Sequence, residues 1–80
     1  MIKKTIFDPK YKAMIDNLKS LRKKQELSQR DLAKKLHVAH SFIGRAETCE
    51  RRLDIIDLIR ILRALNCTDQ EILKFIEKLL

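Results

Sequence analysis

Four helix-start signals punctuate this chain at short intervals, and they constrain its fold more than any other feature. Asp8-Pro9 joins a capping carboxylate to a proline suited to the first helical position. Ser28-Gln29-Arg30-Asp31 reads as a capping box with Asp where Glu is usual, and Thr68-Asp69-Gln70-Glu71 as a box of the usual kind. Asp54 caps a further helix, with Asp57 at its third position favouring the dipole. Between these signals apolar residues recur at helical spacing. Tyr11, Met14, Ile15, Leu18 and Leu21 mark a first helix that ends around Gln25-Glu26, and Leu32, Ala33 and Leu36 mark a short second one. After His37-Val38-Ala39 a third short helix runs from His40 to about Thr48. The fourth carries Ile55, Ile56, Leu58, Ile59, Ile61, Leu62 and Leu65, apolar over most of its circumference, which predicts a helix sandwiched between others. The last, Ile72 to Leu80, has a broad apolar face. One glycine and one proline in 80 residues leave little material for a turn-rich β architecture. The expected fold class is all-α: one compact five-helix domain over residues 1–80, with 1–8 as an N-terminal arm and 69–80 as a C-terminal helix.

Charge narrows the partners. Eighteen Lys and Arg against eleven Asp and Glu give +7, and the surplus is one-sided. Residues 1–52 hold 14 basic and 6 acidic side chains (+8), whereas residues 53–80 hold 4 and 5 (−1). A basic small domain of this kind meets a polyanion, or simply carries a solvated cationic surface; charge alone does not separate the two. No apolar run approaches the roughly 18 residues of a membrane span, and the N-terminus lacks the apolar stretch of a signal peptide. The expected compartment is the cytoplasm, with no membrane partner.

The segment from Leu21-Arg22 to Leu65 resembles the helix-turn-helix domain of the lambda and Cro repressors, the xenobiotic-response-element family. The residues that carry the resemblance are Leu27-Ser28-Gln29, Leu32-Ala33, Leu36, Val38, Ile43, Glu47, Arg51-Arg52-Leu53-Asp54 and Leu62-Arg63-Ala64-Leu65, in the family's spacing without a gap. The resemblance implies that Gln29 starts the second helix near a phosphate, that His40 opens the recognition helix, and that Arg22 and Glu47 form a partly buried ion pair. Relatives usually place glycine where this chain has Glu26, His37 and Cys49. At His37, in the turn between the signature helices, the backbone of the family needs φ > 0. Ala39 stands where a Ser or Thr usually caps the recognition helix.

The third helix makes the same case from its own geometry. At about 100° per residue with His40 as zero, Gly44 lies near 40°, Thr48 near 80°, Ser41 near 100° and Arg45 near 140°. Phe42, Ile43 and Ala46 fall on the opposite side. One face packs while the other can enter a major groove. His40, Ser41, Gly44 and Arg45 are the expected base-reading residues, with Arg45 suited to guanine O6 and N7 and Gly44 allowing close backbone approach. Lys19, Lys23, Arg30, Arg51 and Arg52, with Ser28, Gln29 and Thr48, are the expected phosphate contacts; each basic residue can equally be a solvated surface charge. Lys3 and Lys4 read as a frayed terminus before they read as a basic arm along DNA.

Other chemistry finds little support. Cys49 and Cys67 stand 18 residues apart, and with His37 and His40 they match no zinc-site spacing, so no metal is expected. No nucleophile, orienting carboxylate or glycine-rich phosphate loop accompanies His40, so no catalytic residue or cofactor is expected either. Cys67 reads as a buried thiol. Cys49, beside the groove-facing arc, is a remote candidate for redox sensing. The reading is a sequence-specific double-stranded DNA-binding regulator, a repressor, acting as a homodimer on a pseudo-palindromic operator. Ile72, Leu73, Phe75, Ile76, Leu79 and Leu80 offer a dimer interface or pack across the domain's own core. An antitoxin with a toxin partner, a restriction–modification controller or a domain answering to an effector protein would use the same fold. From other classes, the rivals are a helical interaction module that binds no DNA and a binder of RNA or anionic lipid through charge alone.

Overall fold

The computed structural model describes residues 8–80. Lys3 and Lys4 lie outside them. Five helices follow in order: α1 Pro9–Lys24, α2 Gln29–Leu36, α3 His40–Glu47, α4 Ile55–Ala64 and α5 Asp69–Glu77. Each of the four start signals operates. Asp8 accepts a hydrogen bond from the Lys10 amide at 2.8 Å, ahead of Pro9, which has no amide hydrogen to leave unsatisfied. Ser28 and Asp31, Asp54 and Asp57, and Thr68 and Glu71 each form a reciprocal capping box. The shorter Asp therefore closes the box at α2 as effectively as Glu does at α5. Only α3 begins without side-chain help, because Ala39 at its N-cap has nothing to offer the free amides.

The helix ends are closed by backbone. Leu27, Val38, Glu50 and Cys67 each donate their amide to the carbonyl five residues earlier, of Arg22, Ala33, Arg45 and Leu62. The residue before each, Glu26, His37, Cys49 and Asn66, sits in the left-handed region at φ 57°, 57°, 63° and 64° and donates to the carbonyl three residues back. These are four Schellman closures built without glycine. The positive φ expected at His37 is present, and the other two positions where relatives carry glycine share it.

The core gathers one stripe from every helix: Met14, Ile15 and Leu18, then Leu32 and Ala33, Ile43 and Ala46, Leu58, Ile61 and Leu62, and Ile72. Ile15, Leu32, Ile43, Leu62 and Leu65 are fully enclosed, each stabilising the fold by roughly 1.5–3 kcal/mol relative to an exposed side chain. Long-range polar ties lock the frame. The Leu53 amide donates to the Tyr11 hydroxyl at 3.0 Å, joining α1 to the α3–α4 connector. The Gln25 amide donates to the Leu65 carbonyl and accepts from Asn66, so the ends of α1 and α4 are fastened together.

Two expectations are corrected. Helix α4 is not sandwiched all round, since Ile55 and Ile56 are each 53% exposed while Leu58, Ile61 and Leu62 are buried. Its apolar residues exceed what its one packed face can cover. The last helix stops at Glu77 with Lys78 as cap, short of Leu80. No helix among the described residues is long and apolar enough to cross a membrane.

Candidate nucleic-acid interface

Helix α3 divides as its spacing predicts. Ile43 and Ala46 are buried and Phe42 is half-buried, whereas His40, Ser41, Arg45 and Thr48 are exposed on the other side. The three-residue turn from His37 to Ala39 sets α3 against α2, and these two helices share the most extensive helix–helix contact in the molecule. Ser28, Gln29 and Arg30 stand at the N-terminal end of α2, where unpaired amides and the positive dipole end favour an anion.

Gln29, Glu47 and Arg22 bind these parts into one network. Glu47 accepts two hydrogen bonds from the Arg22 guanidinium, Nε at 2.6 Å and Nη2 at 3.0 Å, and the two side chains are each only 8% exposed. Arg22 donates its third bond to the Leu27 carbonyl at 2.7 Å, and Gln29 donates to Glu47 Oε1 at 2.9 Å. Burial acts to raise the Glu47 carboxyl, but the bonds from Arg22 and Gln29 and the charges of Arg22 and Lys19 outweigh it and hold the group below its ordinary value. The start of α2 and the end of α3 are thereby fixed to α1 by one ionised carboxylate. No buried side-chain donor or acceptor among the described residues is left without a partner. The ion pair implied by the family resemblance is present and partly buried, Arg22 as a residue being buried and Glu47 half-buried. Its extension to Gln29 was not foreseen.

Gly44 is half-buried in α3. A Cβ built on it would lie 3.4 Å from Gln29 Oε1, an ordinary contact distance. Arg51 stacks over the Phe42 ring, its guanidinium carbon 4.7 Å from the ring centroid. The aromatic partner was legible in the sequence only as a packing residue. The single Thr48 hydroxyl proton has three acceptors within reach, the Gly44 and Arg45 carbonyls at 3.2 Å and Glu50 Oε2 at 2.9 Å. Lys23, Arg30 and Arg52 are exposed, and Lys19 is half-buried close enough to Glu47 to influence it.

The thiols exchange the places expected of them. Cys49 is buried at the end of α3, and Cys67 is half-buried at the α4–α5 junction. Among the described residues no three His, Cys, Asp or Glu side chains converge as a metal site would require. On the last helix, Ile72 is part of the core and has no surface left for a partner; Phe75, Ile76 and Leu79 pack partly against that core, and Leu73 and Leu80 are exposed.

A short turn between two packed helices, with the second presenting a polar arc, defines the helix-turn-helix class of protein. The family model described as helix-turn-helix matches residues 18–72, more than half of the chain, and the protein belongs to that family in its lambda repressor and Cro form. It is a family of DNA-binding regulatory domains, which supports double-stranded DNA as the partner. Comparison with curated proteins finds no significant match.

Proposed function

We propose that this protein is a sequence-specific transcriptional repressor that binds double-stranded DNA as a homodimer on a pseudo-palindromic operator. The observation that carries this reading is the exposed arc of α3, held in register with the start of α2 by the buried Arg22–Glu47–Gln29 network. His40, Ser41 and Arg45 read base edges from the major groove, Arg45 through a bidentate bond to guanine, and Gly44 lets the backbone approach the bases closely. Ser28, Gln29 and Arg30 meet a phosphate at the amino end of α2, and Lys19, Lys23, Thr48, Arg51 and Arg52 line the neighbouring backbone. Two recognition helices related by a two-fold axis extend the sequence read, because one helix spans too few base pairs for useful selectivity. The outer edge of α5, with Leu73 and Leu80 exposed beside Ile76, supplies the isologous contact. Repression then follows from occupancy of the operator.

Selection of bound duplexes from a random pool tests the proposal. The expected site is a pseudo-palindrome whose half-site centres lie about 10–10.5 base pairs apart or a multiple of that. Arg45→Ala should relax preference at one symmetric pair of positions, at about 1–3 kcal/mol per contact, while Arg52→Ala weakens all sequences alike. Failure to enrich any duplex sequence, or recovery of a single asymmetric motif at high affinity, would overturn it.

A further inference from the structure

The flank formed by α1 and α5 carries a groove of about 490 Å³ that takes no part in the interface above. Its two walls share one construction. Asn17, Ser20, Leu21 and Lys24 stand at i, i+3, i+4 and i+7 along α1, and Glu71, Lys74, Phe75 and Lys78 repeat that spacing on α5 and its cap. Each wall is therefore two helical turns long, about 10 Å. Half-buried Leu21, Cys67 and Phe75 make the apolar floor. Lys24, Lys74 and Lys78 are exposed around it, with Glu71 as the one carboxylate of the lining.

We infer that this groove docks an acidic amphipathic helix of a partner protein, its apolar stripe on Leu21 and Phe75 and its carboxylates against Lys24, Lys74 and Lys78. Three cations against one anion favour an acidic occupant. Phosphodiester backbone satisfies the lysines but leaves the apolar floor uncovered. A second copy fits poorly: the chain carries +7, and the three lysines of the groove would meet a partner of their own sign. Arg22 of the interface network and Lys24 of the groove are two residues apart on α1 and point to nearly opposite sides of it, about 160° around the helix. No residue of α2 or α3 lines the groove, so a docked helix leaves the α3 arc free. The inference goes beyond DNA binding and does not depend on it.

The test uses a synthetic peptide of about four helical turns with Leu at i, i+3, i+4 and i+7 and Glu or Ala elsewhere. Its counterpart with Lys for Glu, and dodecanoate, serve as further arms. Cys67 in the floor reports occupancy through its alkylation rate above neutral pH, and buried Cys49 is the internal reference. The acidic peptide should saturate, protect Cys67, and lose affinity about tenfold with the exposed pair Lys74→Glu/Lys78→Glu. The lysine peptide should not protect Cys67, and Arg51→Glu/Arg52→Glu should leave acidic-peptide affinity unchanged. Absence of protection, equal protection by the lysine peptide, a stronger response to the Arg51/Arg52 pair, or protection by dodecanoate and not by peptide would each overturn the inference.

Discussion

Glu47 is the side chain on which the most structure converges, holding α1, the start of α2 and the end of α3 through Arg22 and Gln29. Removing one partner of such a buried pair leaves the other uncompensated, so Glu47→Gln should destabilise the fold by roughly 3–5 kcal/mol at neutral pH. Its folded carboxyl lies below the ordinary 4.5, so the stabilisation is complete above that value and is lost as pH falls through the lower, folded value. The gap between wild type and Glu47→Gln in denaturant melts should therefore be wide near neutrality and narrow in acid; a gap independent of pH would contradict this assignment. Gly44 yields a second prediction. An added methyl meets Gln29 Oε1 at an ordinary contact distance, while glycine within a helix is less favourable than alanine by about 0.5–1 kcal/mol. Gly44→Ala should raise the melting midpoint. A fall would mean that Gln29 cannot yield and that the glycine is required by the network. The Arg22–Glu47 pair was legible through the family resemblance. The bond from Gln29 was not, because 18 residues separate the partners and only the crossing of α2 and α3 brings them together.

At the scale of the helix, starts and stops follow different rules. A start is written in side chains three residues apart, and all four signals recognised in the sequence proved to be working caps. A stop here is written in backbone conformation, and nothing in the identities of Glu26 or Cys49 announces φ > 0. Two adjustments should stabilise the domain. Ala39→Ser provides the missing acceptor for the free amides of α3, a gain of about 0.5–2 kcal/mol. Glu26→Gly and His37→Gly, both exposed, relieve left-handed strain, and the greater entropy of glycine in the unfolded chain offsets part of that, leaving a gain of up to about 1 kcal/mol. Denaturant melts at fixed protein concentration measure all three without confusion from self-association. No gain from Ala39→Ser would mean that the α3 amides are already satisfied by solvent.

For the whole molecule the governing quantity is charge, +8 over residues 1–52 against −1 over the rest. If six to ten phosphates are neutralised per dimer, affinity for the selected duplex should fall by roughly 10³–10⁵ between 50 and 200 mM salt. Titrations across that range measure the slope, and a flat profile would remove the electrostatic half of the proposed function. That asymmetry, the helix starts and the division of α3 into a packing and a polar side are all local or additive properties, so the sequence by itself determined them. Tertiary structure decided the rest, because it depends on which surfaces meet. Packing drew Ile72 into the core, left Ile55 and Ile56 exposed, and exchanged the burial of Cys49 and Cys67. It also set α5 beside α1 to enclose a groove whose walls lie some fifty residues apart in the chain. Periodicity tells a helix which face is apolar; only the crossing of helices tells it how much of that face will be covered.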